Sequence, residues 1–368
     1  MNRFHSLINK KLHIACPIIQ APLAGSSSPE LVSAVSNAGA LGSLGAALMS
    51  PEAITAAIGK IRSSTDCPFN VNLLIPSKTP RKSGIIKMQR RLNRFREELH
   101  IEQHLVQPVI EKGKFEHQIK AVLEAKVPIF SFAFGMLSDK WIEAFKRAGT
   151  TLIGVATTLE EALALEKAGI DMLVAQGCEA SGHRAGFLNR EEDALIGTMA
   201  LVPLLSDRLT IPVIAEGGIM DGRAVGAALI MGAEGVQLGT AFLTTDESPI
   251  SHAHKHALLC GVQSKTVLTR AFSGRLGRAL ENRFIIQMQH DKGPIPSFPI
   301  QGRLTADIRK KAEETGNGDF CSLWAGQGVE FCRKISCKEL INALMEELEE
   351  AMGGTLAFYE YFRWKKSA

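Results

Sequence analysis

Runs of six to eight mainly apolar residues recur along the chain, bounded by glycine, proline or capping residues and separated by segments of helical period. They are PIIQAP (17–22), LGSLGAA (41–47), PFNVNLL (68–74), PIFSFAFG (128–135), TLIGVA (151–156), DMLVAQG (171–177), PVIAEGG (212–218) and GVQLGTAF (235–242). Strands that are apolar nearly throughout, rather than alternating, belong to a parallel sheet covered on both faces. Helix signals lie between them. Ser28-Pro29 and Ser50-Pro51 each set a capping serine before a proline at the first helical position. Thr158 with Glu161 reads as a capping box, and Gly39 and Gly169 stand where helices stop. Eight such repeats predict an α/β fold, a closed TIM (β/α)8 barrel. An open doubly wound sheet would place its phosphate turn after the first strand. Here that turn is APLAGSSSP, without GxGxxG, and the glycine pairs come late.

Two segments fall outside the repeat. Residues 77–120 form an insertion after the third strand. Its first half contains Lys78, Arg81, Lys82, Lys87, Arg90, Arg91, Arg94 and Arg96 with no acidic residue between them. It reads as a solvated helix face or a lid over an anionic substrate. Residues 264–368 read as a mainly helical extension ending in the basic, aromatic YEYFRWKKSA. The expected division is 1–263 for the barrel with its insertion and 264–368 for an extension packed on it.

Composition changes this picture little. The 368 residues are 45% hydrophobic and 22% charged, ordinary for a globular protein, and a net charge of +4 is too small to argue for nucleic acid. The seven cysteines are scattered with no CxxC, which suits reduced thiols. Neither a signal-peptide core nor an apolar run long enough for a bilayer is evident. A cytoplasmic protein without nucleic-acid or membrane partners is expected, its oligomeric state open. His252 and His256 share a helix face but have no third ligand nearby, so no metal is expected.

In such barrels the site lies at the C-terminal ends of the strands, and phosphate docks after strands seven and eight. Gly217-Gly218 end the seventh strand before a helix near Asp221, and Gly239-Thr240 end the eighth. Backbone N–H groups there can point at a phosphate, with a hydroxyl from Thr240. The sixth strand stops in AQGCEASGHRAGF (175–187). Gln176 supplies an amide, Ser181 and Gly182 leave the backbone accessible, and His183 is a base that titrates near neutrality. Asn72 either bonds the edge of a flat ring or ends its strand on its own backbone. Ala21-Pro22 would let such a ring lie against the first strand.

Taken together, these motifs resemble the nitronate monooxygenase family, once called 2-nitropropane dioxygenases. The resemblance extends past the barrel through TRAFSGRLGRALENRF (269–284) and SLWAGQGV (322–329). It implies bound FMN, contacted by Asn72, Gln176, Ser181, Gly182, Gly218, Gln237, Leu238, Gly239 and Thr240, with Gly217 in the phosphate turn and Ala21 and Pro22 beside the isoalloxazine. His183 matches the family's catalytic histidine. The implied reaction oxidises an alkyl nitronate, such as propionate 3-nitronate, with O₂ to a carbonyl compound and nitrite. One departure is Ser181, where the family usually has glycine. The alternatives are an FMN- and NAD(P)H-dependent enoyl-acyl-carrier-protein reductase, against which the FSGR and SLWAGQG segments lean, and a flavin-binding protein without turnover.

Overall fold

The computed structural model describes residues 6–76, 84–103, 108, 113–260, 265–291 and 293–367, with side chains up to 354. Eight parallel strands form the barrel: β1 (Ile18–Gln20), β2 (Gly42–Gly45), β3 (Phe69–Leu74), β4 (Ile129–Ala133), β5 (Thr151–Ala156), β6 (Met172–Gln176), β8 (Val213–Glu216) and β9 (Gly235–Leu238), with β7 (Gly182–His183) lying outside it. Their order is β1-β9-β8-β6-β5-β4-β3-β2. A parallel bridge between Ile19 and Leu41 closes the ring. Where β1 and β2 then diverge, the Gln20 side chain takes over the ladder and accepts the Ser43 N–H at 2.9 Å. All eight strands predicted from the apolar runs are present.

The capping reading holds for both Ser-Pro starts. Ser28 accepts the Leu31 N–H and Ser50 the Ala53 N–H. Gly39 and Gly169 have φ of +91° and +84° just past their helices, the left-handed conformation glycine adopts without strain. The Thr158–Glu161 pair differs. Thr158 caps the helix Leu159–Lys167, but the Glu161 carboxylate does not return to Thr158. It accepts the Thr157 N–H and hydroxyl, both at 2.8 Å, and the N–H groups of Phe187 and Leu188. It thereby ties the segment after β7 to the end of β5, a tertiary use that outranks the local cap.

Inside the barrel Ile19, Leu41, Ile129, Ile153, Met172, Val174 and Ile214 form one cluster with Ile8 and Leu12 of the N-terminal helix Leu7–Leu12. A Cβ on Gly235, the first residue of β9, would lie 3.2 Å from Ile8, so this helix plugs the end of the barrel away from the site. The outward faces of the strands pack against the surrounding helices in a larger core.

The packing crosses residue 263 in two places. The long helix Cys337–Ser367 returns to the barrel, placing Leu340, Ile341, Leu344 and Leu348 in the outer core. It lies against the helices Gly222–Ile230 and Pro29–Asn37, the gap where an eighth barrel helix belongs. Glu347 there accepts the Gly222 N–H at 2.9 Å. The insertion meanwhile belongs to the extension. On its helix Ile85–Glu98, Met88, Leu92 and Phe95 share a core with Phe272, Phe284 and Phe320. Three of its basic residues are docked, while Lys87 and Arg90 are exposed. Arg96 is fully buried and pairs with Asp307 at 2.7 Å, Arg94 pairs with Asp291 at 2.6 Å, and Arg91 bonds the carbonyls of Met288 and Asp291. Lys78, Arg81 and Lys82, like the side chains of the terminal aromatic run, lie outside the described residues. The extension is also less purely helical than expected, because β10 (Thr266–Thr269) and β11 (Gly277–Leu280) form an antiparallel pair.

Candidate active site

The pair β10–β11 builds the site directly, because β7 joins it as a third strand, with His183 opposite Gly277 and Gly182 opposite Arg278. The segment after β6 is thus held between barrel and extension. Gln176 fastens its inner side, donating from Nε2 to the His183 carbonyl at 3.3 Å and accepting the Ala185 N–H at 2.9 Å. Glu179 accepts the Thr198 N–H and hydroxyl and fixes the preceding turn. Gly182 has φ +70°, whereas Ser181 needs no left-handed backbone, so the serine costs nothing in conformation.

His183 lies within an aromatic box. Its ring centroid is 4.9 Å from that of Trp324, 5.7 Å from Phe298 and 5.9 Å from Phe134. Its Nε2 is 2.8 Å from Ser273 Oγ, and Nδ1 has no hydrogen-bond partner among the described residues. Ser273 is itself fixed, accepting the Arg275 N–H at 3.2 Å with the Arg275 carbonyl 3.1 Å away. Burial, reinforced by the Arg275 and Arg309 guanidinium groups, pushes the imidazole down to about 3. His183 is therefore neutral at physiological pH and available as a base or hydrogen-bond partner. Arg275 is also pushed down, to about 10, chiefly by burial, and remains a cation, stacked 3.8 Å over Phe134.

Around the same rim stand the glycine turns. Gly217 and Gly218 have φ of +129° and +72°. A Cβ at Gly217 would come within 2.6 Å of Thr198 Oγ1, and one at Gly177 within 2.0 Å, so these turns close only with glycine. A cleft of about 330 Å³ opens here between Glu179, Thr198, Gly217, Gly218, Gln327 and Gly328. Ala21 sits beside Gly239, its N–H bonded to the Leu238 carbonyl at 2.8 Å. Thr240 Oγ1 accepts the Gly326 N–H at 2.9 Å, bringing the SLWAGQG segment over the turn. Across the barrel, Asn72 and Asn70 both donate to Ser131 Oγ, at 2.9 and 2.8 Å. Asn70 Oδ1 is buried without a partner.

Ala21, Pro22, Asn72, Gln176, Ser181, Gly182, His183, Gly217, Gly218, Gln237, Gly239 and Thr240 thus all fall at the C-terminal end of one barrel. Leu238 does too, but its side chain belongs to the outer core, leaving only its backbone toward the mouth. Sequence reasoning missed Ser273, Trp324, Phe134 and Phe298 around His183. The FSGR and SLWAGQG segments were the only signals for the first two, and Phe298 comes from a stretch without a motif. His252 and His256 stack at 6.4 Å on the helix His252–Leu259, and neither ring contacts His183 among the described residues.

The sequence profile of the family described as nitronate monooxygenase matches residues 5–347, nearly the whole chain. The chain belongs to the nitronate monooxygenase family. The probable nitronate monooxygenase of Staphylococcus haemolyticus is 41% identical over 350 residues, 94% of this chain and 97% of that one. That of Staphylococcus aureus strain JH9 is 41% identical over 347 residues, 94% of this chain and 98% of its own. Among solved structures, the nitroalkane oxidase of Streptomyces ansochromogenes superposes with a TM-score of 0.88 at 37% identity, covering 93% of this chain and 98% of that one. FabK from Thermotoga maritima gives 0.76 at 28% identity, covering 96% and 99%. Nitronate monooxygenases are flavin oxidoreductases, and this chain is an oxidoreductase on a TIM barrel. Among the described residues no helix is long and apolar enough to cross a membrane.

Proposed function

We propose that the protein is an FMN-dependent nitronate monooxygenase that oxidises alkyl nitronates, such as propionate 3-nitronate, with O₂ to a carbonyl compound and nitrite. The observation that carries this reading is a neutral His183, held by Ser273 inside an aromatic box, on the same rim as a glycine cradle. The residues present fit the cofactor. A cleft opens beside Gly217 and Gly218, and at the polar wall opposite the buried Asn70 carbonyl oxygen has no partner. Gly217, Gly218, Gly239 and Thr240 would hold the phosphate. Asn72, Gln176, Gln237, Ser181, Gly182 and the Leu238 backbone would line the rest, with Ala21 and Pro22 against the ring.

Bound FMN supplies the one-electron chemistry. The chain supplies the setting. Neutral His183 hydrogen-bonds the nitro-bearing end of the substrate, and its contact with Ser273 leaves Nδ1 as the ring nitrogen free to do so. Phe134, Phe298 and Trp324 exclude water around it. Arg275 and Arg309 favour an anion there without contributing a proton. Seven free cysteines suit a reducing cytoplasm. Anaerobic mixing of the purified protein with propionate 3-nitronate, then admission of air, tests the reading. Bleaching of a flavin spectrum followed by nitrite release supports it. A flavin unresponsive to nitronates but reduced by NADPH, with turnover of an enoyl thioester, replaces it by the reductase.

A further inference from the structure

The last inward positions of three neighbouring strands stand in one row. Gln176 on β6 is in register with Glu216 on β8, and Glu216 with Gln237 on β9. Residues opposite one another in parallel strands point to the same side, and Ile214, two before Glu216, lies in the barrel interior. Glu216 therefore projects inward between two amides. Next to it is Arg184, only 1% exposed, whose guanidinium donates to the carbonyls of Gly177 and Gln176 at 2.6 and 2.7 Å. Its Nε has no hydrogen-bond partner among the described residues.

We infer that Glu216 is a positioning residue of this site: lying between Gln176 and Gln237 and opposite the buried Arg184, it orients both amides and offsets that arginine's charge beneath the cofactor. The inference rests on the FMN reading above. A carboxylate only accepts hydrogen bonds, so each amide must turn its NH₂ toward it. For Gln176 that orientation agrees with its other two bonds, Nε2 to the His183 carbonyl and Oε1 from the Ala185 N–H. Glu216 thereby acts through Gln176 on the strand that carries His183. For Gln237 the same orientation leaves its carbonyl oxygen for a hydroxyl of the cofactor. Burial pushes the Glu216 carboxyl up, while the Gln237 amide, the Arg184 charge and the Gln176 amide pull it down. Losing the acceptor turns one amide around, and losing the charge leaves Arg184 unopposed.

The test uses Glu216→Gln, which keeps the size but puts a donor where an acceptor stood. Apoprotein titrated with FMN, followed by flavin fluorescence, is expected to bind about tenfold more weakly than wild type, the effect of one charge-assisted hydrogen bond. The reduction potential of the bound flavin is expected to shift positive. Glu216→Asp, which keeps the acceptor and the charge but is shorter, should stay nearer wild type than Glu216→Gln, a ranking that a role in merely filling space would reverse. Independently of any cofactor, hydrogen exchange in the peptide spanning 176–187 should be faster in the variant apoprotein. Unchanged affinity and potential, with unchanged exchange, overturns the inference. If wild type binds no FMN, the cofactor reading fails instead, and the exchange measurement alone decides the role of Glu216.

Discussion

Replacing His183 by glutamine should change how stability depends on pH more than how much stability there is at neutrality. The native imidazole is pushed down to about 3 by burial and by Arg275 and Arg309, whereas an unfolded histidine titrates near 6.5. A depressed histidine binds fewer protons folded than unfolded. Its effect on stability is thus negligible above 6.5 and becomes increasingly unfavourable as pH falls toward 3. Between pH 7.5 and pH 5 that linkage costs the wild type about 2 kcal/mol, because one pKa unit is worth about 1.4 kcal/mol. The figure is a ceiling, since the ring keeps some solvent contact. His254 is also pushed down by burial, to about 4, and is present in both proteins, so its contribution cancels in the comparison. Urea unfolding of both proteins at pH 7.5 and pH 5, at fixed ionic strength, measures the difference. Wild type should lose up to about 2 kcal/mol more than His183→Gln. Equal losses would mean that His183 is not held neutral by its surroundings, and the account of it as a neutral base would fail. The same reasoning predicts that the kcat/KM profile of the wild type shows no break near pH 6.5 from this residue.

Three further outcomes follow from the geometry. Ser273→Ala removes the only hydrogen bond to the His183 ring among the described residues and should lower kcat/KM roughly tenfold with flavin retained, read by steady-state kinetics beside the visible spectrum. Gly177→Ala sets a Cβ 2.0 Å from Thr198 Oγ1 and 2.6 Å from its backbone nitrogen, so a melting curve should show a loss of about 2 kcal/mol or more. Arg96→Leu strands Asp307 and the Leu304 carbonyl, and urea unfolding should report about 3 kcal/mol lost; a neutral result would show that the insertion is not anchored there.

The barrel was legible because its signals are local. Apolar runs, capping serines and left-handed glycines each act within a few residues, and the strands followed them. The glycine turns and His183 were legible for the same reason, since a polar, glycine-rich stretch at a strand's C-terminal end is a local pattern. What the chain concealed was pairing at long range. Nothing in the sequence near Ser273 says that it meets a histidine ninety positions earlier. Nor do the insertion's arginines announce Asp291 and Asp307 as partners. Spacing alone gave Glu161 a capping role, because the competing N–H groups of Phe187 and Leu188 come from another loop. Glu216 hid for a different reason: within PVIAEGG it looks like the polar end of a strand, and only the register of β6, β8 and β9 sets it between two amides.

The return of the helix Cys337–Ser367 to the barrel has a consequence for biosynthesis. When β9 leaves the ribosome, all eight strands exist, but the outer shell still lacks the helix that covers the seam between Gly222–Ile230 and Pro29–Asn37. Roughly a hundred residues separate the end of β9 from Cys337, about 5–20 s of translation at ordinary rates. Throughout that interval the nascent barrel exposes an apolar stripe, and the strand bearing His183 waits for β11. The barrel is therefore fully covered only once the helix Cys337–Ser367 has been made, and a chain stopped before it would carry an uncovered apolar seam rather than form a smaller finished barrel.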